Sequence, residues 1–256
     1  MPKRTGVIVS RVAMLSCLVG VAGCDMKGCR SDNSSGLESP VALAEPVYGS
    51  GTISGTVSYD GPMPDVKIVG ESDACGEVVD ESLVVSADGG LANVLVYLDG
   101  EQVVDSTGQA RTPAELDQTG CRFVPRVQGV QIQQIFEVAN GDPMRHNVRF
   151  APENNERQNL IFATGGTRQS VTFNRPESDP FVVKCDIHPW MTAYVRVFGH
   201  PFYATTDTDG RFEIAQVPAG EYDVTTWHEL LGERSATLTV GDEVTQLDFT
   251  YARPQS

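Results

Sequence analysis

Cys185, His188 and Met191 fall in one short string, Cys185-Asp186-Ile187-His188-Pro189-Trp190-Met191, and a second histidine, His146, lies upstream in His146-Asn147-Val148. Together they offer two imidazoles, one thiolate and one thioether. That is the donor set of a mononuclear type 1 copper site, in which two histidines and a cysteine form a plane and a methionine binds weakly along the axis. Thiolate and thioether are soft and favour Cu(I), whereas imidazole suits both oxidation states. A site that accommodates both states passes a single electron with little rearrangement. Zinc is the main metal alternative, but it favours a tetrahedral set without a thioether. A binuclear copper centre needs a second thiolate in the loop, and Asp186 and Ile187 offer none. A lone cysteine usually packs as a small hydrophobe, and a lone histidine usually makes structural hydrogen bonds. The conjunction of four donors is what points to a metal.

Such a site requires elements that carry residue 146 to residues 185–191. Helix signals are poor along the chain. Short apolar runs such as Asn93-Val94-Leu95-Val96-Tyr97-Leu98 alternate with Gly, Pro and Asp turns, the pattern of an all-β protein. Residues 127–138 mix apolar and polar positions nearly in alternation, as a half-buried strand pair does. Asn140-Gly141-Asp142-Pro143 is a turn signal, and a strand starts at His146. Residues 170–173 and 180–184 read as two more strands, the second ending at Cys185. Residues 192–198 close the module.

The stretch from 111 to 198 resembles the cupredoxin family, a Greek-key β-sandwich. His146-Asn147-Val148 matches that family's first ligand and the Asn after it. Cys185-x-x-His188-x-x-Met191 matches the second cluster in its compact, amicyanin-like form. The resemblance implies one type 1 copper held by His146, Cys185 and His188, with Met191 axial. It implies that Asn147 ties the two ligand loops together by hydrogen bonds. It also implies that the outer edge of His188 is an electron port, with Pro189 and Trp190 as an apolar docking patch; packing over the site is the other reading of Trp190. Arg126 and Arg149 stand where related sequences often carry His, which argues against a further metal site there.

The outer segments resemble a different sandwich, the carboxypeptidase regulatory-like (transthyretin-like) domain. Gly51–Gly61 and Ala92–Gly100 look like its first strands, Thr205–Ile214 with Val217–Val224 like its middle hairpin, and 235–240 with 247–251 like its last strands. The expected organisation is a discontinuous sandwich from 51–100 and 199–253 with a cupredoxin domain, 101–198, inserted. The rival is a tandem arrangement with 51–198 as one extended cupredoxin. The combination resembles a group of bacterial exported proteins.

Lys3, Arg4 and Arg11 form a basic start, followed by an apolar run over 12–23 that is too short to span a bilayer. It suits a secretory signal peptide, 1–23. The run ends in Val21-Ala22-Gly23-Cys24, which resembles a bacterial lipoprotein signal with Cys24 as the lipidated residue. Residues 24–50 are rich in Ser, Gly and Pro and read as a flexible tether. The expected location is the periplasm or cell surface, anchored to a membrane. Cys17 leaves with the signal, and Cys29 lies in the tether. Cys75 and Cys121 remain, either as a disulfide bond, which export permits, or as two buried thiols.

The formal net charge is −15, with no basic stripe, which argues against a nucleic-acid partner. The acidity reads as a solvated surface, or as steering toward a basic redox protein. Trp227-His228-Glu229 and His200 lack visible co-ligands and read as structural. Asp207-Thr208-Asp209-Gly210 lacks the acidic spacing of a calcium loop and reads as a hairpin turn. The leading expectation is a membrane-anchored blue-copper protein that carries single electrons between redox partners and is not an enzyme, since a closed four-ligand site leaves no open position. The alternatives are a copper-handling protein, and an adhesion or carbohydrate-binding β-sandwich module.

Overall fold

The computed structural model describes residues 48–99 and 112–252. The expected leader 1–23, the lipidation residue Cys24, Cys29 and nearly all of the tether lie outside the described residues. Among those described there is no helix, and nineteen strands follow one another. The chain opens with β1 (Gly51–Asp60), the hairpin β2 (Ile68–Ser72) and β3 (Gly76–Val79), and β4 (Leu95–Asp99). Then come β5 (Ala114–Thr119), β6 (Arg122–Val124), β7 (Val127–Gln131), β8 (Phe136–Asn140) and β9 (His146–Phe150). These are followed by β10 (Gln158–Phe162), β11 (Thr167–Val171), β12 (Phe181–Lys184) and β13 (Thr192–Phe198). The remainder is β14 (Tyr203–Thr205), β15 (Arg211–Val217), β16 (Gly220–His228), β17 (Gly232–Val240), β18 (Val244–Gln246) and β19 (Phe249–Ala252).

Two pairs of sheets result. One pair consists of β10-β9-β12-β13-β7 and β11-β8-β5-β6. Their inward residues share one core, in which Phe136, Phe150, Phe173 and Phe181 meet at ring-centroid distances between 5.5 and 6.3 Å. Tilted and edge-to-face contacts of this kind favour one arrangement of the rings. The other pair is β15-β1-β18, with β19 also on β1, and β14-β4-β16-β17. It closes over Ile53, Val57, Val96, Leu98, Val224 and Tyr251. β1 alternates buried and half-buried positions along its length, as a strand with one face on a core must. It bonds to β15, β18 and β19, none of which belongs to the first pair of sheets.

Residues 127–138 fall in opposite sheets instead of forming one hairpin. β7 runs parallel to β13, whereas β8 joins β5 and β11. The chain crosses between the sheets around Gln133, a non-glycine residue at φ 59°. Alternation records which side of a strand is buried, and it is blind to which strand lies alongside.

The two sandwiches meet on a small aromatic seam. Leu95 and Tyr97 of β4 pack with Val127 and Phe198. Tyr203 stacks on Phe198 at 4.5 Å, and the Arg196 guanidinium lies 4.0 Å from the Tyr97 ring centre. At the rim, Arg126 forms a largely buried two-pronged ion pair with Glu229.

His228 is buried beside that pair, and its Nδ1 accepts the Leu230 N–H at 3.2 Å. Burial, and then the charge of Arg126, push its pKa from 6.5 down to about 4. An unfolded chain therefore takes up a proton between those values that the folded chain refuses. The stability this preserves is complete above pH 6.5 and is lost as pH falls toward 4, on the order of 3 kcal/mol in all. In His228→Asn, which keeps an acceptor for Leu230, denaturant unfolding should show a visibly smaller decline between pH 7 and pH 4.5 than the parent does. An unchanged decline would mean that His228 does not resist protonation.

Candidate metal centre

His146 opens β9, the strand that lies between β10 and β12 in the five-stranded sheet. β12 and β13 form an antiparallel pair that ends at Lys184 opposite Thr192, so residues 185–191 are the loop between them. The loop is tied back on itself. The Cys185 N–H donates to the Met191 carbonyl at 3.3 Å, and the Met191 N–H donates to the His188 carbonyl at 2.9 Å. Pairing of β9 with β12 sets His146 beside this loop.

The side chains then converge. His146 Nδ1 and His188 Nδ1 stand 2.9 Å apart, and Cys185 Sγ lies 3.9 Å from His188 Nδ1. The three donor atoms all lie within 4.8 Å of one another. A first-row ion bonds imidazole nitrogen at about 2.0 Å and thiolate sulfur at about 2.3 Å, so donors at these separations can share one ion. His146, Cys185 and Met191 are fully buried, and His188 is partly exposed. Met191 packs in the same core as Cys185. The donor chemistry therefore fits copper: two nitrogens and one sulfur converge, with a thioether residue anchored to the same loop.

The charges of these groups depend on one another. Burial opposes charge on His146, but its hydrogen bonds to Cys185 and Asp142 outweigh that and move its pKa up. Burial pushes the Cys185 thiol up, yet the His146 contact and backbone N–H groups bring it below its ordinary value. His188 is lowered by burial and then by the charge of His146. Metal binding requires a thiolate and neutral imidazoles, so an ion entering here would displace the proton that His146 holds more tightly than an ordinary imidazole.

Asn147 spans the two ligand segments. Its Oδ1 accepts the Asp186 N–H at 2.7 Å and lies 3.5 Å from Cys185 Sγ, while its Nδ2 donates to Asp186 Oδ2 at 3.0 Å and to Asn159 Oδ1 at 2.8 Å.

Asp142 performs the same service for His146, and sequence reading passed over it as part of a turn. Its buried carboxylate accepts His146 Nε2 at 2.9 Å, the Gly120 N–H at 2.7 Å and the Cys121 N–H at 2.8 Å. The bond at Nε2 leaves Nδ1 free for a metal. Gly120 and Cys121 are the two central residues of the β5–β6 turn, both at positive φ, the conformation of a type I′ hairpin. Cysteine is an uncommon choice there. The carboxylate that satisfies both amides holds it in place. The available signal was an acidic residue four positions before a candidate ligand.

The other candidates separate. Pro189 is exposed beside Ile187, whereas Trp190 is half-buried and its Nε1 donates to the Cys121 carbonyl at 3.2 Å. The β2–β3 hairpin lies over it: a Cβ added at Gly70 would sit 2.3 Å from the indole. Cys75 and Cys121 form a disulfide bond that pins the same hairpin to the β5–β6 turn. His200 Nδ1 accepts the Phe202 N–H at 3.2 Å, and neither His200 nor His228 joins a group of metal-capable side chains among the described residues. Arg126 and Arg149 are occupied by Glu229 and Asp186. Asp207 Oδ1 accepts the amides of Asp209 and Arg211, which makes 207–210 a turn.

No family model and no curated protein matches the chain. Solved structures do show likenesses. A copper-containing nitrite reductase from Thermus scotoductus SA-01 aligns at 24% identity and TM-score 0.30 over 38% of this chain, which spans only a quarter (25%) of the reductase. A purple cupredoxin from Nitrosopumilus maritimus aligns at 20% identity and TM-score 0.28, over 33% of this chain and 99% of its own. A methionine-to-alanine mutant of amicyanin in its Cu(I) form aligns at 19% identity and TM-score 0.30, over 40% of this chain and 98% of its own. The expectation that the chain is not an enzyme does not stand, because an enzyme is among these neighbours. Its physical basis was also too narrow: ligand count at one site says nothing about chemistry elsewhere in a molecule.

Asp142→Asn cannot accept from both turn amides and His146 at once. It should lower copper affinity by about 10- to 100-fold, read by chelator competition. Unchanged affinity would mean that His146 needs no such partner.

Proposed function

We propose that this chain is an exported, lipid-anchored protein that holds one type 1 copper ion and passes single electrons. The observation that carries the reading is the convergence of the Cys185 thiol with the Nδ1 atoms of His146 and His188 in one buried pocket. His146, Cys185 and His188 would be the strong ligands and Met191 the weak axial one. Bound copper would supply a reversible one-electron couple.

The chain's own groups do the rest. Asn147 holds the Cys185 loop against β9 and keeps both ligand segments in register. Asp142 fixes the His146 ring so that Nδ1 faces the site. Burial keeps water from the thiolate. His188, the partly exposed ligand, lies beside exposed Pro189 and Ile187, which supports it as the place where a redox protein docks. Contacts there would be weak and short-lived, as turnover requires. The domain bounds we propose are those expected from the sequence, a sandwich from 51–100 and 199–253 with the copper-bearing domain at 101–198, save that the β2–β3 hairpin packs on the copper-bearing domain. Cys24 would carry the lipid, at the periplasmic face or the cell surface.

Copper-loaded protein should be intensely coloured by thiolate-to-copper charge transfer, with the small EPR hyperfine splitting of a type 1 site and a reversible couple with fast self-exchange. Cys185→Ser should stay folded and lose the colour. A pale parent protein, or a Cys185→Ser spectrum equal to the parent's, would overturn the proposal. Slow exchange with ready copper release would replace electron transfer by copper handling.

A further inference from the structure

Beside the centre just described lies a second group of sulfur atoms that the proposed function leaves unused. Met144 Sδ sits 3.7 Å from Cys75 Sγ and 3.5 Å from Cys121 Sγ. A ring nitrogen of His188 lies within 4.8 Å of both cysteine sulfurs. Three soft donors therefore share one small volume, next to a residue that belongs to the copper centre. While Cys75 and Cys121 are bonded to each other, neither offers a thiolate.

We infer that reduction of the Cys75–Cys121 disulfide opens a second copper site, specific for Cu(I), formed by the thiolates of Cys75 and Cys121 with the thioether of Met144. Thiolates and thioethers are the ligands that select Cu(I). The hairpin geometry gives access. Cys75 stands in the turn between β2 and β3 and is partly exposed, whereas Cys121 is fully buried. An external thiolate therefore attacks the Cys75 sulfur, and Cys121 leaves as thiolate. A second thiol of the reductant then releases Cys75. Two electrons pass from two thiols of an exported thiol-disulfide oxidoreductase, or of a small thiol, to the protein disulfide. The products are the reductant's disulfide and two cysteine thiols. Each thiol gives its proton to solvent as Cu(I) binds, and copper does not change oxidation state.

Two features let the site form without dismantling the fold. The β5–β6 turn keeps its shape through Asp142, which holds the Gly120 and Cys121 amides independently of the disulfide. The β2–β3 hairpin also keeps its hold on the ligand-bearing sandwich through Val78 in the core and Gly70 on Trp190. Cys75 is thus free to move by the small distance that separates a sulfur–sulfur bond from two sulfurs sharing an ion. His188, in reach of both groups, places the new site beside the first. The disulfide would then act as a lock that decides whether the chain holds copper for electron transfer or at sulfur for delivery. This last consequence rests on the type 1 reading, but the site itself does not.

The test uses the full chain carrying Cys185→Ser, in which the first site lacks its thiolate. Cu(I) is supplied anaerobically as its acetonitrile complex, in competition with a chromophoric Cu(I) chelator. The disulfide form should leave the copper on the chelator. After phosphine reduction the protein should capture one equivalent, with a sulfur-dominated X-ray absorption shell. The capture should be lost in the Cys75→Ser/Cys121→Ser pair and weakened in Met144→Leu. Equal capture with and without reduction, capture unaffected by these substitutions, or loss of near-ultraviolet circular dichroism on reduction would each overturn the proposal. The colour of copper-loaded parent protein reports on the first site separately.

Discussion

A carboxylate buried beneath the ligand loop sets the terms for the rest of the molecule. Asp142 accepts one imidazole N–H and two backbone amides, so His146 and the β5–β6 turn are fixed by the same group. Without that fixed point, the ring that the chain brings from β9 could turn its other nitrogen toward Cys185. A buried carboxylate is costly unless its lone pairs are used, and three donors close to 2.8 Å use them. The His146–Cys185 contact follows from this constraint. It raises the imidazole and lowers the thiol, because each favours the charged form of the other.

The second sandwich and the β2–β3 hairpin both act on this neighbourhood. Arg126 reaches Glu229 at one end of the aromatic seam, and its Nη1 lies 3.5 Å from the Thr192 carbonyl, directly after Met191. The hairpin covers Trp190 and, through Cys75, the turn that Asp142 holds. The ligand loop is therefore braced rather than free at a sheet end. A rigid loop suits a redox centre, because a site that moves little between oxidation states exchanges electrons with little reorganisation.

The all-β class could be read from the alternating runs and their turn residues. The ligand string was readable as well, because a cysteine, a histidine and a methionine at short spacing constrain chemistry strongly. Asn147 stood out only through its place after His146. Asp142 did not stand out, since its role depends on the Cys121 turn, distant in sequence, folding back beneath it. The split of residues 127–138 between two sheets was hidden for the same reason: local pattern reports burial, whereas pairing is decided by partners elsewhere in the chain. The departure of β2 and β3 from the sandwich of their sequence neighbours is likewise a long-range outcome. Val78 in the core and one glycine laid against an indole hold it there, and a disulfide adds to them.

The central claim is that one copper ion is gripped between residues 146, 185 and 188. A crystal of the copper-loaded chain measured at the copper absorption edge tests it most directly. The account predicts a single strong anomalous peak bonded to His146 Nδ1, His188 Nδ1 and Cys185 Sγ, with the Asp142 carboxylate still on His146 Nε2. A peak elsewhere, or an ion held only by nitrogen and oxygen with Cys185 unbound, would contradict it.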